Sequence, residues 1–439
     1  MKRVSLLLWV SLAIMLALTG CGGGNPKNPI QLTGTPVMLQ TGDAVNDQIA
    51  KFELTVSAIT LTGTGGTANT ANLLSAPAEV EFVHQAGSLE PLSLAHIPPG
   101  TYSGATMTVS DPEVVAIVGG VPTKLNATLS STTVNVPFSP NITIGSSPMF
   151  LNFDLDLANS VTISGNNATV SPKFNVSTST VAPEENENEE NGEIEDIHGK
   201  VTNITAPNFT IQTDSTTITF ATNSSTKFED GISQLSDLRV GDIVEVDGIT
   251  RSDGTKLATK VERECDEQGE EVEGLISALN SPLTTITIVH QMDSKGTSSS
   301  PVTVNVGVNS STVFKVRADK LNITPPPFDA THIGKGQRIE ADVNSSSSMV
   351  ASKVKLREQA LIGTVAASPA PTSSGFTLNV SPTSAFGTLS GATTVPVTFA
   401  NGATLKTTPV AGATIRVRGL VFVNGTAYSM IAVRDDDNH

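Results

Sequence analysis

The sequence predicts an all-β protein: an N-terminal β-sandwich followed by three small tandem β-barrel-like domains. Thr, Ser, Asn, Gly and Val dominate a chain of 439 residues in which charged residues make up only 15%. That composition favours strands and turns over helices. Apolar and polar residues also alternate over short segments that are separated by Gly, Pro and Asn, as in half-buried antiparallel strands.

The chain begins with a basic start and an apolar run over residues 4–18. This run spans only about 22 Å as a helix, short of the roughly 30 Å hydrocarbon core, so a secretion signal is favoured over a transmembrane anchor. Residues 18–21 (LTGC) resemble the processing site of bacterial lipoproteins. The resemblance implies cleavage between Gly20 and Cys21 and lipidation of Cys21. The alternative is an ordinary cleaved signal with an incidental cysteine.

The segments predicted from composition and pattern are a signal peptide (1–20), a flexible tether (21–30), a β-sandwich domain (31–180), an acidic linker (181–197), a first barrel repeat (198–264), a second acidic linker (265–272), a second barrel repeat (273–358) and a third barrel repeat (361–436). Linkers rich in glutamate have too few apolar residues to form a core, and their like charges repel one another. We therefore expect an extended rod that reaches on the order of 100 Å, judged from compact-domain scaling.

The clearest strand of the first domain lies at residues 149–157, where MFLNFDLDL alternates apolar and polar positions. A turn at residues 97–102 (IPPGTY) leads into the strand TMTVSD at 106–111. These segments resemble an uncharacterised bacterial family, domain of unknown function 4382. The resemblance implies a β-sandwich and no known activity.

Three later segments open alike, with HGKV at 198–201, EGLI at 273–276 and IGTV at 362–365. Each is followed by short strands, a turn, and a strand led by glycine: GDIVEVDG, GQRIEADV and GATIRVRG. Five or six strands in about 70 residues favour a small closed barrel, because closure removes exposed edges. The three units resemble domain of unknown function 5666, although Val343 stands where that family has a glycine.

No catalytic or metal-binding motif is evident, and no cofactor is predicted. Asp154 and Asp156 lie two residues apart on one strand, so both carboxylates face the same way and are weak candidates for a shared metal or an acid–base pair. A solvated outer face is the simpler interpretation. The six histidines are scattered without metal-binding spacing. Cys265 is either an inert thiol or the site of an intermolecular disulfide.

The function predicted from these features is that of a non-catalytic, membrane-anchored lipoprotein of the cell envelope, located at the outer membrane or surface of a bacterium. A metal-dependent enzyme using Asp154 and Asp156 and a calcium-dependent assembly protein are the alternatives. The predicted partners are the membrane, through the N-terminal lipid, and an envelope protein or a glycan, although few aromatic residues are present to stack sugars. The net charge of −16 predicts that nucleic acid is not a partner.

Overall fold

In a computed structural model, the fold is described for residues 34–44, 48–83, 89–180, 193–213, 216–251, 253–265, 270–293, 301–316, 324–345, 348–404 and 408–436. The signal peptide, Gly20, Cys21 and the tether predicted above lie outside these ranges, as do residues 181–192 of the first acidic linker. Within the described ranges, no helix has the length and apolar character needed to cross a membrane. The two helices there are short and the strands are many, which confirms the all-β prediction.

The first unit contains twelve strands and one short helix. They are β1 (Thr35–Ala44), β2 (Ile49–Thr64), β3 (Ala78–Glu81), β4 (Glu90–Ile97), β5 (Gly100–Val118), β6 (Val121–Lys124), β7 (Asn126–Leu129), β8 (Thr133–Ile144), β9 (Met149–Asp156), α1 (Leu157–Ser160), β10 (Val161–Ser164), β11 (Asn167–Val170) and β12 (Phe174–Thr180). One sheet has the order β12-β9-β1-β4, and a second has the order β3-β2-β5-β6 with β8 also paired to β5. Strands β10, β11 and β7 form a small third sheet.

The two larger sheets share one core, which is the arrangement of a β-sandwich. Leu39 of β1 and Phe153 of β9 lie in the same buried cluster as Phe52 of β2 and Val109 of β5. The predicted turn before β5 is held by Tyr102, whose buried hydroxyl donates a hydrogen bond to the carbonyl oxygen of Pro98 at 2.8 Å. The turn thereby fixes the start of the longest strand of the unit.

Three further groups of strands follow. The first barrel contains β13 (Glu193–Thr205), β14 (Asn208–Gln212), β15 (Thr217–Ala221), β16 (Lys227–Glu229), β17 (Ile243–Thr250) and β18 (Lys256–Cys265). The second contains β19 (Glu270–Leu279), β20 (Thr285–Asp293), β21 (Thr303–Gly307), β22 (Val313–Val316), β23 (Arg338–Ser345) and β24 (Ser348–Leu356). The third contains β25 (Gln359–Val365), β26 (Gly375–Val380), α2 (Ala385–Ser390), β27 (Thr394–Thr404), β28 (Thr414–Asn424) and β29 (Ala427–Asp436).

All three groups have the same strand connections. When the short strands β16 and β22 are left out of the count, the first strand of each group pairs with the second and the fourth, the second pairs with the third, and the fourth pairs with the fifth. A parallel pairing then joins the third strand to that last strand: β15 to β18, β21 to β24, and β27 to β29. Each group is therefore a small barrel, with the inward positions of its strands forming the core.

The glycine that opens each repeat is required by a close approach of two strands. A Cβ atom at Gly199 would lie 2.7 Å from the carbonyl oxygen of Gln212, and a Cβ atom at Gly274 or Gly363 would lie closer still to the carbonyl oxygen of Val289 or Asn379. A second shared glycine sits at a bulge, between Asp247 and Gly248 in the first barrel. The second barrel keeps the bulge with Val343 in place of that glycine.

The expectation of an extended rod is wrong, because residues 34–439 form one compact unit. Phe422 and Leu420 of the third barrel lie in the same core cluster as Ile276 of the second. A smaller cluster joins the sandwich to both barrels, and Gln291 donates a hydrogen bond to the carbonyl oxygen of Ala50 at 2.6 Å. Burial of apolar surface between the units outweighs the freedom that the linkers would allow.

Candidate functional site: a buried ionic cluster between the first two barrels

Strands β17 and β23 correspond to each other in the first two barrels, and each is buried on both faces. In β17, Val244 and Val246 point into the barrel, whereas Glu245 points outward and is nevertheless only 2% exposed. In β23 the equivalent outward residues, Glu340 and Asp342, are completely buried. Carboxylates are rarely buried without partners. The outer faces of the two barrels must therefore cover each other with compensating charges.

The charged side chains at this contact are called the inter-repeat cluster. It consists of His198, Asp230, Glu245, Glu262 and Glu264 from the first barrel and Glu271, Glu273, Lys315, Arg338, Glu340, Asp342, Lys353, Lys355 and Arg357 from the second. Strands β17 and β18 supply most of one side, and β19, β23 and β24 supply most of the other. Both signs of charge are present on the second barrel, whereas the first supplies mainly carboxylates.

His198 lies at one end of the cluster, between carboxylates of both barrels. Its Nδ1 atom is 3.0 Å from Oε2 of Glu271, and its Nε2 atom is 3.3 Å from Oε2 of Glu245 and 3.7 Å from Oε2 of Glu340. Burial lowers the pKa of this imidazole, but the charges of Glu271 and Glu340 outweigh burial and raise the pKa to about 9. This pKa favours the imidazolium at neutral pH, with Nδ1 hydrogen-bonded to Glu271 and Nε2 in charge contact with Glu245 and Glu340.

Arg357 makes a second bridge across the same contact. Its Nη1 atom donates a hydrogen bond to Oε2 of Glu245 at 2.9 Å and lies 3.4 Å from Oε2 of Glu340. Burial alone would raise the pKa of Glu340, but the charges of Lys355, His198 and Arg357 overcome it and hold that pKa well below its usual range. Glu340 is thus an anion shared by three cations.

Lys355 occupies the centre of the cluster and is 1% exposed. Its Nζ atom contacts the carboxylate of Glu264 and lies 3.2 Å from Oε1 of Glu340 and 3.6 Å from Oε1 of Glu262. Burial lowers the pKa of this ammonium, but Glu340 and Glu264 more than reverse the effect and raise it. Burial and neighbouring carboxylates raise the pKa of Asp342.

The rim of the cluster is more exposed. Lys353 and Lys315 both contact Oδ2 of Asp230, the latter at 2.7 Å, and the side chain of Lys315 is 41% exposed. Lys353 also lies 3.5 Å from Oε2 of Glu264. Exposed pairs of this kind contribute little to stability because water and salt screen them.

Two groups of ligand atoms in the cluster are close enough together to hold a metal ion: one on His198, Glu271, Glu273 and Glu340, and one on Glu264, Glu340 and Asp342. The chain's own cations already neutralise these positions. Lys355 contacts carboxylates of the second group, and in the first group Arg338 lies 2.6 Å from Glu273 and Arg357 lies 3.4 Å from Glu340. The geometry is that of an ion-pair network and fits a metal centre poorly.

The structure separates Asp154 and Asp156, the weak candidates from the sequence, from this cluster. Both lie half-buried on β9. Asp156 caps α1, where its carboxylate accepts hydrogen bonds from the backbone N–H of Asn159 at 3.1 Å and from its side-chain amide at 2.8 Å. Among the described residues, neither aspartate belongs to a group of three converging metal-ligand atoms.

Comparison with known proteins identifies one of the barrels. The stretch from residue 198 to residue 262 matches the family described as Domain of unknown function (DUF5666). A DUF5666 domain is therefore present in this chain. It includes His198, Glu245 and Glu262 of the cluster. No curated protein matches the chain.

Among solved structures, the chain is similar to "drosophila Unr CSD456", with 14% identity over 56% of this chain and 98% of the other and a TM-score of 0.13. It is also similar to a multidomain protein with nucleic acid binding domains from Streptococcus pneumoniae TIGR4, with 11% identity over 54% of this chain and 72% of the other and a TM-score of 0.12. Scores this low carry no argument about what this chain binds.

The prediction about partners is corrected by these neighbours. The exclusion of nucleic acid as a partner is contradicted, because one of these neighbours is described as a protein with nucleic acid binding domains. That exclusion used the net charge of the whole chain, which does not describe how charge is distributed over any one outer face. The comparisons give no support to a membrane, envelope-protein or glycan partner, and the envelope-protein and glycan partners are not retained.

The cluster itself was missed by the sequence analysis, which treated His198 as one of several scattered histidines. Its partner Glu271 is 73 residues away, and Arg357 is 112 residues from Glu245. One signal was available. Glu245 and Glu340 hold the same position in two repeats, and a charge kept at an outward position of a repeat is typical of a contact between repeats.

Proposed function

We propose that this chain is a non-catalytic, lipid-anchored protein of the bacterial cell envelope whose β-units act together as one rigid body. The observation that carries the proposal is the inter-repeat cluster, in which the charged side chains between the first two barrels are engaged with each other. Removing one partner from a buried ion pair leaves an uncompensated charge, so such pairs hold a contact in one geometry. A site for chemistry would instead leave reactive groups open to a substrate.

Lipid anchoring is supported by the basic start, the apolar run and the cysteine at residues 18–21. Several acyl chains together hold a protein on a lipid surface where a single chain binds only reversibly. The lipid carried by Cys21 would then attach the chain to the membrane.

We further propose that the second and third barrels are additional copies of the DUF5666 domain and that the sandwich is related to domain of unknown function 4382. Support for the two copies comes from their strand connections, which equal those of residues 198–262. The close approach at Gly274 and Gly363 repeats the one at Gly199.

Native-state hydrogen exchange of the full chain tests the rigid body. We expect the core strands β17 and β23 to exchange with the same free energy of opening, because neither barrel separates without exposing the buried charges of both. Strand β28 of the third barrel is the internal comparison. Much weaker protection of β17 than of β23 would mean that the barrels open independently and would overturn the proposal. Added Ca²⁺ is expected to leave both values unchanged, and an increase confined to β9 would favour the metal-dependent enzyme.

A further inference from the structure

His198 differs from every other charged group of the inter-repeat cluster because its ordinary pKa lies near neutrality. It belongs to β13 of the first barrel, whereas Glu271 and Glu340, which contact its two ring nitrogens, belong to the second. Glu245 of the first barrel contacts the same nitrogen as Glu340. The imidazolium is thus a cation placed between the carboxylates of two separate barrels.

The charged groups around His198 come from every element packed on it. They are Glu245 from β17, Glu271 and Glu273 from β19, Glu340 and Arg338 from β23, and Lys355 and Arg357 from the end of β24 and the residue after it. Arg338 pairs with Glu273 at 2.6 Å, and Lys355 is shared with the carboxylates of β18. His198 shares Glu245 with Arg357, shares Glu340 with Arg357 and Lys355, and contacts Glu271 directly.

We propose that His198 is a proton-operated latch that joins the first barrel to the second and weakens their contact when it loses its proton. The proposal rests on the rigid body proposed above and describes how one of its contacts is regulated. When one proton leaves the ring for solvent, a single N–H remains for three carboxylates. The lone pair on the other nitrogen then faces an anion, and Arg357 alone bridges Glu245 and Glu340.

The strength of the latch follows from linkage between the proton and the contact. The carboxylates of the second barrel raise the pKa of His198 to about 9, and separation of the barrels would return it toward its ordinary value of about 6.5. The equilibrium constant for the docked state therefore falls roughly tenfold for each pH unit between these two values. Below that interval the latch is fully closed.

Nuclear magnetic resonance of the histidine ring protons and small-angle X-ray scattering of the full chain test this inference together. We expect the resonance that is lost in His198→Gln to titrate near pH 9 in the unmodified chain. The radius of gyration is expected to rise over the same pH interval. It should be raised already at pH 6.5 in His198→Gln and should stay low up to pH 10.5 in His198→Lys, which keeps a positive charge. His332→Gln removes a histidine paired with Asp329 outside the cluster and should behave like the unmodified chain.

Circular dichroism shows whether the variants keep their strands, and the titration of the unmodified chain needs no variant. A His198 resonance that titrates at or below pH 6.5, or a radius that stays constant while His198 loses its proton, would overturn the latch. A decrease of the radius of gyration on addition of Zn²⁺ at pH 7.5 that a chelator reverses would also overturn the latch, because His198 would then be a metal ligand. If the radius of gyration stays low at every pH, the latch is contradicted but the proposed rigid body is not. If the barrels move independently at pH 6.5, the rigid body itself is contradicted.

Discussion

Replacement of Lys355 by methionine is expected to lower the free energy of unfolding by about 3–5 kcal/mol at neutral pH, as is typical when one partner is removed from a buried ion network. Methionine keeps most of the length of the side chain and removes its charge. Glu264 and Glu340, whose side chains are fully buried, then face each other without the ammonium between them. Denaturation by urea, followed by circular dichroism, measures the loss.

Lys315→Met is the matched control, because Lys315 belongs to the same network but is 41% exposed and pairs with Asp230 at the rim. Its loss is expected to be below about 1 kcal/mol. Adding Glu264→Gln to the Lys355 variant should restore part of the stability, since one uncompensated carboxylate is removed. Equal, small losses for the two lysines would show that the centre of the cluster is solvated, in contradiction to the buried geometry.

The sequence alone predicts the barrels well because their cores follow a period of two. Alternation within the segment GDIVEVDG predicts inward positions for Val244 and Val246, and both are completely buried in the core of the first barrel. The same alternation assigned Glu245 to an outward face, which is correct, but period two cannot say what covers that face. The covering residues lie far away in the sequence, as Glu245 and Arg357 illustrate, which are 112 residues apart.

The packing of the units was not predictable for a related reason. Acidic linkers predict that the domains they connect stay apart, since the like charges of a linker repel one another and keep it extended. The contacts that bring the units together are made by single side chains such as Gln291, whose position at the surface of its own barrel carries no distinguishing pattern. Residues such as His198 and Lys355 acquire their chemistry from the neighbouring barrel, and this environment exists only in the folded chain.

Stability is expected to fall as the pH rises from 6.5 to 9, and His198 accounts for about 3 kcal/mol of the change. Its pKa is about 9 in the folded chain and about 6.5 in the unfolded chain, so the folded state holds more protons in that interval. The stabilisation is complete below pH 6.5 and lost by about pH 9. Glu53 changes stability in the same direction, because burial raises its pKa to about 8. Lys256 acts in the opposite direction above pH 8, because burial lowers its pKa to about 8.

Urea denaturation at half-unit intervals from pH 6 to 10 separates these contributions. In His198→Gln the decrease between pH 6.5 and 9 should become smaller by the contribution of His198, and Glu53→Gln should remove the contribution of Glu53 while leaving that of His198. His332→Gln, which lies outside the cluster, should keep the full decrease. A His198 variant with an unchanged pH dependence would mean that the imidazole is neutral between its carboxylates. The contact between the two barrels would then depend on the lysine and arginine pairs, such as those of Arg357, Lys355 and Lys353, and would be insensitive to protons near neutrality.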